Sequence, residues 1–294
     1  VADRFNTYTI PGDFLYPEGA TVRPGTHRFF VGSTNGGAVF SGRLVQRAMK
    51  PFLPAGGNGR DVAVGMKASR SGLLYVTGGP TGTVFVYDIA TRTLVRKFVN
   101  GLATDKTFLN DVIISRNGDA YVTDSINPVI YKIPAAAVGK SAPRTAALEP
   151  WRRLNGTTIR YGAFPNLNGI EITRGGRFLF AVQSNTGELF RINVHNKRIR
   201  EVPLEGGDLA NGDGLELKGH KLFAIRNSNE LLVKMSLSRH FTSGKVRCIR
   251  IYPSFRFPTT LARVAGRFLV VNSQFDKADP VLPFTVSNID IPNC

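Results

Sequence analysis

A small or polar pair followed at once by a short alternating apolar strand recurs along this chain, at Glu18-Gly19, Arg60-Asp61, Asn110-Asp111, Asn168-Gly169 and Asp213-Gly214, with a weaker copy at Thr259-Thr260. The steps between the leading residues are 42, 50, 58, 45 and 46, the period of four-stranded antiparallel sheets arranged radially about one axis. The repeat predicts an all-β chain, a six-bladed β-propeller, with residues 1–294 forming one domain. In such a ring the first strand of each blade runs beside the axis. Glu18, Arg60, Asn110, Asn168, Asp213 and Thr259 are therefore expected to face a common channel.

The second strand of each repeat is the most apolar, and each is preceded by glycine: Gly25, Gly72, Gly118, Gly175-Gly176, Gly219 and Gly266. Glycine reaches positive φ without steric penalty, which suits a repeated tight hairpin. The segment Arg4 to Ile10 alternates but has no repeat of its own. It is expected to close the ring as an outer strand beside Phe284 to Ile291, because an open ring would expose sheet edges. Loops as long as Ala135 to Gly162, which holds the only tryptophan, Trp151, commonly wall a binding pocket. The two cysteines, Cys248 and the terminal Cys294, suit a staple that fastens the tail to the body in an oxidising compartment, so a secreted or extracytoplasmic protein is expected.

A formal charge of +17 invites a nucleic-acid reading. The positions argue against it, because the basic residues are scattered through hairpin ends and outer strands, as at Arg92 to Lys97, Arg152-Arg153, Asn196-Lys197-Arg198 and Lys245 to Arg250, with no accompanying recognition motif. Charge so distributed is a solubilising surface. The longest uncharged apolar run, Ser71 to Tyr87, is broken by Gly78-Gly79-Pro80 and Gly82, so no membrane span is expected. Val1-Ala2-Asp3-Arg4 lacks the basic start and apolar core of a signal peptide. The expected form is a monomer acting on a small molecule.

Glu18, Asn110, Asn168 and Asp213 would bring two carboxylates and two carboxamides to one point. Calcium takes six to eight oxygen ligands in flexible geometry, so this cage, with water completing the shell, suits Ca2+. Zinc is disfavoured, since His27, His195, His220 and His240 show no paired spacing and the cysteines lie far apart. Any one of these dipeptides alone is an ordinary turn; their common phase in separate repeats is what carries weight. Arg60 shares that phase and is expected either to pack or pair with Asp61 or to meet substrate.

The Glu-Gly after Tyr16-Pro17, the Phe108-Leu109-Asn110-Asp111 run, the Pro165 to Ile170 segment ending in Asn-Gly-Ile, and Asp213-Gly214-Leu215 together resemble the gluconolactonase and regucalcin family, which includes diisopropylfluorophosphatase. The resemblance spans nearly the whole chain in order. It implies a six-bladed propeller with calcium in the channel, held by Glu18, Asn110, Asn168 and Asp213, and hydrolysis of lactones, esters or phosphoesters. In that scheme Asp213 is the general base or nucleophile, and neighbouring positive charge is expected to depress its pKa. Sugar-lactonase members tend to carry Arg two residues before the asparagine that matches Asn110, where this chain has Phe108. With Tyr16 and Phe164 also near strand entries, an apolar or aromatic substrate is expected, contacted by Phe108, Arg60, Phe164 and Tyr16. The competing readings are a non-catalytic propeller that binds a protein or surface polymer, and a lyase or condensing enzyme on a scaffold like that of virginiamycin lyase or strictosidine synthase.

Overall fold

The computed structural model describes residues 5–139 and 144–294; Val1 to Arg4, and with them the leader-peptide expectation, lie outside the described residues, as does Pro143 of the long insertion. The chain is all-β and propeller-like, with its strands gathered into five hydrogen-bonded sheets, one of eight strands, two of five and two of four. The eight-stranded sheet is two consecutive sets joined by the N-terminal strand. Thr7–Ile10 pairs antiparallel with Phe284–Asp290, Ile10 opposite Phe284, and touches Gln46–Leu53 in parallel through Thr9 and Ala48. An N-terminal strand beside the last one is what the unpartnered alternation of residues 4–10 implied.

The strands Pro17–Val22, Met66–Ala68, Leu109–Ile114, Leu167–Ile172, Gly212–Lys218 and Pro258–Val264 each contact the next, and the last contacts the first. Their succession is cyclic. Between successive sheets lie separate apolar layers, such as Phe30, Phe52, Met66, Val76 and Phe85 between the first and second sets. Tyr8, Phe29, Phe40, Leu269 and Phe284 form the layer that unites the two ends of the chain. Burial of such layers is the main driving force for a fold whose described helices are two short 3-10 turns, Gly57–Gly59 and Ala135–Val138.

The insertion supplies outer strands, and through Trp151 it also walls a surface cleft with Tyr121, Lys132 and His195. Thr145–Ala147 adds a parallel outer strand to Leu94–Val99, and Glu149–Arg153 pairs antiparallel with Val129–Ile133. Trp151 packs edge-on against Tyr121 at 5.0 Å. Pro150 is tolerated because this strand lies at the sheet's edge, where no donor is needed on its open side. No described helix is long and apolar enough to cross a membrane.

Cys248 and Cys294 form a disulfide across 46 residues, with Cα atoms 6.2 Å apart. Beside it the buried Lys234 ammonium donates to the carbonyls of Pro292 at 2.9 Å and Cys294 at 2.6 Å, fixing the tail a second time. A loop of 46 residues contributes about 4 kcal/mol by chain entropy. The Cys248→Ser/Cys294→Ser protein should therefore melt about 5–10 °C lower by circular dichroism; an unchanged melt would show that Lys234 alone secures the tail.

Candidate functional site

Five of the six inner strands enter through a β-bulge, which explains the dipeptide repeat. The register skips between Pro17 and Ala20, Leu109 and Val112, Leu167 and Ile170, Gly212 and Leu215, and Pro258 and Leu261, so two residues oppose one on the partner strand. A bulge re-aims one side chain out of the strand's alternation. The first bulged residues are Glu18, Asn110, Asn168, Asp213 and Thr259.

The sixth position is Val64, not Arg60. Val64 N donates to Thr77 O and Thr77 N donates to Gly65 O, both at 2.9 Å, which repeats the bulge pattern one residue pair before Met66. Close approach between neighbouring inner strands gives the same register. A Cβ on Gly19 would lie 2.1 Å from Val64 O, one on Gly65 2.3 Å from Asn110 O, and one on Gly169 2.2 Å from Asp213 O, so only glycine fits there. Arg60 is fully buried elsewhere. It donates to Gly37 O at 2.6 Å, Pro54 O at 2.8 Å and the Tyr87 hydroxyl, with its guanidinium 5.0 Å above the Tyr87 ring. It makes no ion pair with Asp61 among the described residues and is withdrawn from the substrate contacts.

Glu18, Asn110, Asn168 and Asp213 are all at most 6% exposed, and one oxygen on each of the first three, Glu18 Oε2, Asn110 Oδ1 and Asn168 Oδ1, has no hydrogen-bond partner. Unpartnered buried acceptors are expensive. The network fixes their orientation. Ser125 Oγ donates to Leu167 O at 2.6 Å and so accepts from Asn110 Nδ2 at 3.0 Å, which turns Asn110 Oδ1 to the open side. Asn227 Oδ1 accepts from Ser228 N at 2.7 Å, leaving its amide to donate to Asp213 Oδ2 at 3.0 Å. The Asn168 amide also hydrogen-bonds Asp213. Thr259 is turned to structural use, donating to Glu18 O at 2.9 Å.

Electrostatically the site is an unneutralised acid cluster. Burial first, then Asp213 and Asp111, hold Glu18 well above the usual carboxylate range. Asp213 is pushed up to about 7 by burial, with Asp111 adding to the shift and the hydrogen bonds from Asn227 and Asn168 opposing it. The expected depression of Asp213 does not occur, because no cationic side chain stands beside it. Lys67 is committed to Glu171 at 3.0 Å and opposes the upward shift of Asp111. Asp111 was not anticipated. It stands where the other motifs carry Gly or Thr, and it accepts from Val112 N at 2.8 Å and from Ile170 N at 3.1 Å. Three to four residues deeper along the inner strands lies a second polar layer, Lys67–Glu171 and Arg263–Glu216, both at 3.0 Å. It too went unseen in the sequence.

Aromatic side chains gather at the strand entries. Phe108 meets Phe164 edge-on at 5.3 Å, and Phe275 stacks on Tyr16 at 6.3 Å and meets Phe257 at 6.0 Å. Tyr16, Phe108 and Phe257 share one repeat phase, two residues ahead of Glu18, Asn110 and Thr259. Tyr16 and Phe257 adopt positive φ, 42° and 49°, strained conformations for bulky residues that the surrounding structure holds in place. Phe164 is 55% exposed, whereas the Tyr16 hydroxyl is tied to the carbonyls of Lys277 and Ala278 at 3.0 Å.

No protein-family model matches the chain, and no curated protein does. Solved structures share its fold. The periplasmic gluconolactonase PpgL of Pseudomonas aeruginosa aligns over 93% of this chain and 84% of its own at 18% identity, with a TM-score of 0.60. Virginiamycin B lyase from Staphylococcus aureus aligns over 98% and 88% at 9% identity, TM-score 0.62. The major allergen Mala s 1 of Malassezia sympodialis aligns over 97% and 96% at 13% identity, TM-score 0.65. The fold is thus shared by a lactonase, a lyase and an allergen, and activity must be read from the site.

Proposed function

We propose that this chain is a six-bladed propeller, one domain closed by its N-terminal strand, that hydrolyses a lactone or related ester with calcium held by Glu18, Asn110, Asn168 and Asp213. The cyclic contacts of the inner strands support the blade count, and the disulfide supports an extracytoplasmic setting. One observation carries the functional reading: three orphaned buried oxygens and two carboxylates whose burial disfavours their charge occur at the same repeat phase. A hard divalent cation satisfies every one of them at once. Among the described residues no three His, Cys, Asp or Glu side chains form a metal-holding group, so the amide oxygens of Asn110 and Asn168 are essential to the donor set.

Bound calcium would supply the positive charge that polarises a carbonyl or phosphoryl oxygen. The chain's own residues do the rest. Asp213, ionised beside the cation, takes a proton from water as that water adds to the carbonyl carbon, then returns it to the departing alkoxide when the ester C–O bond breaks. Asn227 and Asn168 hold its carboxylate in one orientation. Glu18 remains the fixed charge of the cage, and Asn110, anchored by Ser125, orients without adding charge. Phe108 and Phe164 form an apolar entry, which favours an aryl- or alkyl-bearing substrate over a sugar lactone. The four histidines are all exposed and none bonds to a cage residue, which favours hydrolysis over histidine-based elimination.

The test is a panel of sugar lactones, alkyl lactones and aryl esters assayed as purified, after chelation and after calcium is restored. Hydrolysis of the apolar members that vanishes on chelation and returns with calcium is expected. Calcium binding with no turnover across the panel would favour the non-catalytic propeller.

A further inference from the structure

At the far ends of the inner strands, about 15 Å from Asn168 and Asp213 by strand rise, the turns Thr173 to Arg177 and Gly219-His220 border a cleft of about 640 Å³. Arg174, Arg177, Arg191, Arg198, Arg200 and Arg239 line it, and no Asp or Glu does. Among the described residues none of these arginines makes a salt bridge. Six unpaired guanidiniums in one concavity are not the scattered surface charge that the rest of the sequence shows.

The cations sit on a built floor. The Phe178 ring carries the Arg191 guanidinium at 4.4 Å and that of Arg177 at 5.0 Å, and Arg191 is further tied to the His240 carbonyl. Phe178 packs edge-on against Phe241 at 6.1 Å, and Phe241 stacks on His220 at 4.4 Å. Phe241 holds this place at φ 57°, a conformation a bulky residue keeps only when its neighbours enforce it. The arrangement resists its own charge. Burial first, then Arg200 and Arg177, push the Arg191 guanidinium below its ordinary value.

We propose that this cleft binds a small polyanion bearing two or more phosphate or sulfate groups. Guanidinium forks match tetrahedral oxyanions bidentately, and an anion bridging several of them would relieve repulsion that nothing else in the cleft offsets. The volume is that of a small-molecule site, and the concavity between two neighbouring sheets suits a compact ligand better than a duplex, which follows an extended basic stripe. The site is independent of the hydrolase reading, since its ligand never meets the acid cluster.

Calorimetric titration of the intact protein with inorganic tripolyphosphate, and separately with sucrose octasulfate, tests the proposal. Saturable binding at one site per chain is expected, with the tighter probe assigning phosphate or sulfate. Arg200→Glu/Arg239→Glu should weaken it by about tenfold or more, whereas Arg70→Glu/Lys50→Glu, an equal charge change at exposed residues outside the cleft, should alter it less than about twofold. Equal losses in both variants would reduce the effect to net charge and overturn the site. So would the absence of saturable binding, or a short DNA duplex that binds tighter than either probe and depends on Arg200 and Arg239.

Discussion

Asp213→Asn should lower hydrolysis by about 10²–10⁴-fold, the usual contribution of a positioned general base, without loss of fold. Asparagine is isosteric, and its Oδ1 still accepts from Asn227 Nδ2, the 3.0 Å contact that orients the native carboxylate. Because the native group is a buried acid pushed up to about 7, removing its charge relieves a desolvation penalty in calcium-free protein. The variant's calcium-free melting temperature at pH 8 should equal or exceed that of the native chain. Activity within a few-fold of native, measured on the best substrate of the ester panel, would remove Asp213 from the chemistry.

Glu18→Gln acts on retention of the cation rather than on proton transfer. Loss of one of two charged donors in a buried cage should weaken calcium by about 100-fold or more, read by titration of chelated protein. Its companion effect is on pH. Asp213 rises from an ordinary 3.8 to about 7 on folding, and Glu18 rises in the same direction. Between the two values the native state holds protons that the unfolded chain has released. The stability this confers is complete below the ordinary carboxylate range and is lost as pH climbs through about 7. Calcium-free native protein should therefore melt about 5 °C or more lower at pH 8 than at pH 5, calcium should restore most of that loss, and Glu18→Gln should flatten the dependence. A pH-independent melt would show that the carboxylates are already neutralised by a partner within the chain.

The repeat was legible because a bulge leaves a local mark: a side chain aimed inward, followed by a residue small enough for the next strand's carbonyl. Glu18-Gly19, Asn168-Gly169 and Asp213-Gly214 display both halves. Blade two hid its phase because Val64 carries no polar marker, while Arg60-Asp61 nearby imitated one. Gly65 and the even spacing of 46 residues from Glu18 to Val64 and from Val64 to Asn110 were the available signals. The outer strands of the insertion went unseen because strands of three and five residues around Pro150 have too little alternation to announce themselves. The sign of the Asp213 shift was missed for a different reason. A chain of net charge +17 implies nearby cations on average, yet desolvation depends on depth, and six of the arginines cluster at the opposite ends of the strands. The Lys67–Glu171 and Arg263–Glu216 layer was unreadable until the bulges set which residues three to four positions deeper share its level.

Elemental analysis of protein purified without chelator, then dialysed against calcium, examines the hub most directly. One calcium per chain is expected, retained by the native protein and absent from a Glu18→Gln/Asp213→Asn variant that keeps its fold. Native protein that takes up no calcium, or a variant that keeps a full equivalent, would contradict that expectation.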